Sequence, residues 1–179
     1  EILIGLVGSE MCIRDSIFTD GASARNGQPN QVGGWGYVIL DDKENIIHSA
    51  HGGQKGTTNN WGELTAAVEA VKYIKENLMN KSSFVRELEY IIYSDSAYLI
   101  NCVTQGWYLK WMVNGWQTSQ KTPVANKELW EELIPTFDDT RFEYRKVRGH
   151  QTKNDSFTAK WNNYVDGLAV NGRRRAEKE

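Results

Sequence analysis

The chain has little that would staple it or anchor it. It contains only two cysteines, Cys12 and Cys102. That is too few for a disulfide framework, and such sparing use is the habit of proteins kept in a reducing compartment. A cytoplasmic location is the expectation. No apolar run approaches the roughly 20 residues needed to cross a bilayer, so no membrane partner is expected. The apolar opening EILIGLVG has no basic residues before it and no convincing small-residue cleavage site, and does not read as a signal peptide. Charge of one sign is missing as well: 21 Lys and Arg stand against 23 Asp and Glu, for a net −2. Bulk charge therefore argues mildly against a nucleic-acid partner, which would need a local basic strip or a bound cation.

What is present suits one globular domain, 40% hydrophobic and 25% charged over 179 residues, long enough to bury a real core. The aromatic load is heavy, seven Trp and eight Tyr, with Trp107, Trp111 and Trp116 crowded together. Residues 1–16 stand apart. They lack an initiator Met, and GSEMCIRDS resembles translated adapter sequence found at the ends of environmental gene fragments. The expected layout is a non-native or disordered extension at 1–16, a working domain at 17–172 and a charged, frayed tail at 173–179. A monomer with no obligate protein partner is expected.

IFTDGASARNG reads as a strand running into a turn, and GGWGYVILDD and NIIHSAHGG as two strands joined at 41–44. From Asn59 the period changes: Leu64, Ala67, Val68, Val71, Ile74 and Leu78 recur at helical steps. LEYIIYS returns to strand. Short helices follow at 96–103 and 107–112, then ANKELWEELIPTF, a helix expected to end around Pro135. RFEYRKVRG alternates as a last strand before the helix WNNYVDGLAV. This order predicts an α/β domain, a mixed sheet with an antiparallel hairpin and helices on its faces.

The acids are placed unusually within that order. Asp20 and Asp95 each close a strand, where ligands of open α/β sheets gather. Asp95, in YIIYSDSAYLI, reads on its own as the cap of the next helix. Glu63 falls in the first turn of the long helix, with Ala66, Ala67 and Ala70 after it, and Asp166 sits mid-helix beside Gly167 and Ala169. Converging carboxylates repel, by about 4 kcal/mol per pair at ~4 Å and an effective dielectric near 20. A cluster of four is tolerable only if some are protonated or a cation neutralises them, and oxygen ligands favour Mg²⁺ or Mn²⁺.

IFTDGAS, TTNNWGELTAA, YSDSAYLI and RKVRGH with NNYVDGLA together resemble ribonuclease H of type 1, in order and over about 17–170. GWYLKWMVNGWQTSQKTPVANKELW resembles the protruding segment of bacterial members, including its Trp spacing. The resemblance implies a ribonuclease H-like fold with a five-stranded mixed sheet. It implies cleavage of the RNA strand of RNA–DNA hybrids, leaving 5′-phosphate and 3′-hydroxyl ends. Two Mg²⁺ ions would be held, with Mn²⁺ a possible substitute: Asp20 bridging, Asp166 with the ion that activates water, Glu63 and Asp95 with the other. His150 matches the family's mobile loop histidine, which shuttles a proton or aids product release. Asn26, Asn59 and Asn60 match positions that bind the hybrid, and Thr58 one in the DNA-phosphate pocket. Ser96, Trp107 and Lys121 are further expected contacts. His48 and His51 are expected to be plain strand-surface residues.

This chain departs from the family in three places. The protruding segment is less basic, with Met112, Val113 and Asn114 where many members carry cations, though Lys110, Lys121 and Lys127 remain. The stretch between His150 and Asp166 is long, with TKNDSFTAK as extra loop. NGQPNQVGGWG also carries an insertion. A non-catalytic hybrid-binding module of the same fold is the alternative, and it predicts loss of at least one acid, whereas all four are present. A DNA-cutting relative would need a different arrangement of acids.

Overall fold

The computed structural model describes residues 12–79 and 87–179, so the expectation for residues 1–11 lies outside it. Five strands form one sheet: β1 (Cys12–Ala24), β2 (Val32–Leu40), β3 (Ile46–Lys55), β4 (Glu87–Ser94) and β5 (Phe142–Lys146). Their order is β3-β2-β1-β4-β5. The β1–β2 and β2–β3 pairs are antiparallel, whereas β1–β4 and β4–β5 are parallel. The expected mixed sheet is thus present. The hairpin between β2 and β3 turns at Asp41, whose Oδ1 accepts from the backbone N–H groups of Lys43 and Asn45 at 2.9 and 2.8 Å.

β1 begins at Cys12, ahead of the start expected at Ile17. Residues 12–16 pair with 87–91 of β4, because the backbone ladder continues where Arg14 and Asp15 break the apolar pattern. Alternation along β1 then sends Ile17 to one face and Phe18 to the other, both fully buried. Ile17 packs with Ile39, Leu64, Val71, Ile92, Trp130 and Leu133. Phe18 packs with Val38, Ile91, Tyr93, Val147, Trp161 and Val165. Each such side chain contributes about 1.5–3 kcal/mol on burial.

The first face is covered by α1 (Asn59–Tyr73), α2 (Ala97–Gln105), α3 (Trp107–Asn114) and α4 (Lys127–Phe137), the second by α5 (Phe157–Lys178). α1 runs on into a wider π-type turn at Ile74–Leu78. α4 does not stop at Pro135 but continues to Phe137. Proline only removes the bond to the carbonyl four residues back, that of Glu131, which lies on an exposed residue. α5 is far longer than WNNYVDGLAV. Its first turn takes in the second half of the TKNDSFTAK stretch: Ser156 caps it, Phe157 lies edge-on to Phe18 at 5.5 Å, and Ala159 is buried. Its last turns take in the segment expected to fray. Ala176 is buried there, and Glu177 pairs with Arg173 at 2.8 Å and Arg25 at 3.3 Å.

His51 is exposed, as expected. His48 is more engaged than a plain surface residue, stacked on Tyr73 at 3.9 Å and hydrogen-bonded to Tyr37 at 3.0 Å.

Candidate active site

The parallel register of β1 and β4 ends with Thr19 opposite Ser94. Asp20 and Asp95 are the next residue on each strand, so both acids leave the sheet side by side. β1 does not end at Asp20, however; it runs on to Ala24 against β2, while β4 stops. The acids therefore mark the place where the sheet splits. Asp95 is not the cap of α2. Ser96 is, its Oγ accepting from the Leu99 N–H at 3.2 Å.

Glu63 reaches the same place from α1. Thr58 caps that helix by accepting from the Trp61 N–H at 3.1 Å, so neither Asn59 nor Asn60 is its cap. Because the helix starts at Asn59, Glu63 lies just past the first turn. Glycines let α1 come this close. A Cβ on Gly62 would stand 2.2 Å from the Gly34 carbonyl oxygen, and one on Gly21 would stand 2.4 Å from the Glu63 nitrogen. Backbone rides on backbone there, and Glu63 is delivered to Asp20.

Asp20, Glu63 and Asp95 each bring a carboxylate oxygen within 4.8 Å of the others. Asp20 and Glu63 are 4% and 5% exposed. Asp166, half-buried on α5, is not one of these three, but it lies near enough for its charge to act on Asp20. Burial above all, then the charges of Glu63, Asp95 and Asp166, holds the Asp20 carboxyl far above the usual carboxylate range. Burial and then Asp95 raise Glu63 as well, against the lowering influence of Asp20, the Gly21 N–H and Lys146. Such acids must either hold protons or meet a cation. Glu63 Oε2 is buried without a hydrogen-bond partner, an oxygen left open in a group that otherwise pays for burial. The donor set is all oxygen, which suits a hard divalent ion.

Three elements close around Asp95. Asn162 of α5, 3% exposed, donates from Nδ2 to Asp95 Oδ2 at 3.3 Å. The Lys146 ammonium donates to the Asp95 carbonyl oxygen. Gly149 lies so near that a Cβ there would be 2.8 Å from Asp95 Oδ2. The loop carrying His150 thus passes directly over Asp95. His150 itself is exposed, at φ +50°, beside a shallow depression lined by Arg148, Gln151 and Lys153. Asn163 Nδ2 tethers this loop through the Gln151 carbonyl at 3.0 Å and Asn154 Oδ1 at 2.7 Å.

The other expected contacts fall into two groups. Asn26 and Asn59 meet directly, the Asn26 side-chain oxygen accepting from the Asn59 N–H at 2.9 Å, next to Thr58 and an exposed Asn60. Trp107 and Lys121 belong to the protruding segment instead. Trp107 donates to Gln105 Oε1 at 3.0 Å and lies 6.5 Å from Trp111. Lys121 is exposed in a turn at φ +60°. Sequence reasoning missed Lys146, Gly149, Asn162 and Asn163. A usable signal existed for the two asparagines, since they precede Asp166 by four and three residues and so share its helix face.

A profile of the RNase H family matches residues 14–174. Ribonuclease H of Clostridium botulinum is 38% identical over 154 residues, covering 86% of this chain and 91% of its own. That of Acetivibrio thermocellus is 38% identical over 164 residues, covering 92% and 97%. Among solved structures, a type 1 RNase H with the type 2 active-site motif superposes with a TM-score of 0.72 at 22% identity, over 92% of this chain and 74% of that one. The PFV RNase H domain does so with 0.70 at 19%, over 94% and 99%. At such identity these two speak for the fold alone.

Proposed function

The chain belongs to the RNase H family, and from that premise we propose that it hydrolyses the RNA strand of RNA–DNA hybrids to 5′-phosphate and 3′-hydroxyl ends. The observation that carries this reading is the meeting of Asp20, Glu63 and Asp95 oxygens within 4.8 Å.

The four acids would hold two Mg²⁺ ions, or Mn²⁺ in their place: Asp20 both, Asp166 one, Glu63 and Asp95 the other. When bound, the ions supply the activated water and stabilise the leaving 3′ oxygen. His150, on its exposed loop, is the group proposed to move the proton at that oxygen or to help the product away. Asn26, whose side-chain oxygen is engaged by Asn59, keeps its Nδ2 to donate across the minor groove, where RNA shows its 2′-hydroxyls. Asn59 and Asn60 present amides beside it. Thr58 and Ser96 accept with their oxygens in capping α1 and α2, which leaves each O–H to donate to a phosphate. Trp107 and Lys121 would meet the hybrid on the protruding segment.

We place the working unit at 17–172, with 12–16 extending β1 and 173–178 extending α5, acting in the cytoplasm as a monomer without an obligate protein partner. The free, buried thiol of Cys102 suits a reducing setting.

The test is cleavage of a labelled RNA–DNA hybrid with Mg²⁺, beside RNA–RNA and DNA–DNA duplexes, by wild type and Asp20→Asn. Cleavage of the hybrid alone, abolished in Asp20→Asn, is the expected result. Tight hybrid binding by wild type without cleavage would point to a binding module instead.

A further inference from the structure

Asn162 is the one side chain of α5 seen to touch the Asp95 carboxylate, and it does so at a cost. Its Nδ2 donates to Asp95 Oδ2 at 3.3 Å, while its Oδ1 is buried with no partner. Turning the amide over would set oxygen against the Asp95 oxygen, so the carboxylate dictates which way the group faces. A polar group in a core normally has its acceptors satisfied, and leaving one bare costs about 1–3 kcal/mol. An asparagine kept only for packing would be a poor choice at a site 3% exposed.

The surroundings of Asp95 suggest what offsets that cost. Asp95 lies just past the last residue of β4, where no sheet bond orients it, and its side chain is only half-buried. The Lys146 ammonium holds its backbone carbonyl, and Gly149 blocks one side of Oδ2. Neither donates to the carboxylate. Asn162 does, from the helix that also carries Asp166 one turn further on. One rigid element thereby sets both acids.

We propose that Asn162 is a positioning residue: it orients the Asp95 carboxylate for a divalent cation and ties that orientation to the helix bearing Asp166. The inference rests on the reading of Asp95 as a metal ligand. Hydrogen-bond partners behind metal ligands are worth roughly 10- to 100-fold in metal affinity.

The experiment is calorimetric titration of the full chain with Mn²⁺ alone, with no nucleic acid, for wild type, Asp95→Asn, Asn162→Leu, Asn162→Ala and Asn163→Ala. Asn162→Leu keeps a branched side chain without a donor, and Asn162→Ala serves if Leu does not fit. A cooperative melt in EDTA identifies the folded variants. Mn²⁺ binding about tenfold weaker in a folded Asn162 variant is expected. Asn163→Ala, which cuts the loop tether but leaves the contact with Asp95, should bind as wild type does. Wild-type affinity in a folded Asn162 variant would overturn the inference, and so would failure of both to fold. Equal weakening in Asn163→Ala would overturn it too, by showing a general loosening of α5. Failure of the metal reading itself looks different: wild type would not bind Mn²⁺, or Asp95→Asn would bind it as well as wild type.

Discussion

Asp15 sits 5% exposed on β1, opposite Tyr90 in the register with β4. Burial first, then Asp41 and Asp42, pushes its carboxyl up from 3.8 to about 6. In the unfolded chain it ionises near pH 4, and in the folded chain only near pH 6. Since the folded state binds the proton more tightly, its contribution to stability is fully present below about pH 4. It is lost as pH rises through about 6. Asp15→Asn should therefore leave stability nearly unchanged at pH 4 and raise it at pH 7.5, as urea unfolding at both values would show. A destabilised variant at pH 7.5 would contradict the argument. Single residues were unevenly legible in the sequence. The four acids of the site stood out because apolar or small residues flank them, where a carboxylate needs a reason. Asn162 and Asn163 stood out less: their spacing puts them on the Asp166 face, but an asparagine there looks the same whether it faces water or a carboxylate.

At the scale of elements, the crossing of α1 over β1 and β2 is the tightest constraint. With a prospective Cβ 2.2 Å from the Gly34 carbonyl oxygen, Gly62→Ala cannot be absorbed by a flexible side chain. The helix must lift, and a cost of at least about 3 kcal/mol is expected, as for strong overpacking. Lifting α1 also draws Glu63 away from Asp20, so Mg²⁺-dependent cleavage should fall with stability; a thermal melt and a cleavage assay on one preparation check both. The protruding segment gives the opposite kind of prediction. α3 exposes Leu109, Met112 and Val113, the last at 86%, and beside it Lys127 lies 5.4 Å from the Trp116 ring. Fewer neutralised phosphates mean a shallower fall of log affinity with log salt. Measured beside a relative with a basic segment, this chain should show the smaller slope, and an equal or steeper slope would refute the idea. Most elements could be read from period alone. The misplaced ends have physical causes: backbone pairing carries β1 past an apolar pattern, Pro135 costs little where its lost partner is exposed, and α5 is lengthened by contacts with β1 and the β2–β3 turn. Trp161 Nε1 and the Lys160 ammonium both reach Glu44 in that turn, at 2.6 and 3.1 Å.

For the whole molecule, the candidate site belongs to no single part. Asp20 comes from β1, Glu63 from α1 on one face, Asp95 from the end of β4, and Asp166 from α5 on the other face. The sequence showed the order of these elements, but the distances among the acids appear only when both faces are packed. Hybrid cleavage and far-UV circular dichroism should therefore be lost at the same urea concentration. Activity surviving the loss of helical signal would mean that a fragment can hold the site.

The same dispersion has a consequence during synthesis. A nascent chain that has released β1, β4 and α1 from the ribosome still lacks Asp166, which lies in the last helix. Until α5 emerges and docks against the sheet, the cluster is missing one of its four acids. The site is thereby completed only when the last described helix has folded onto the sheet.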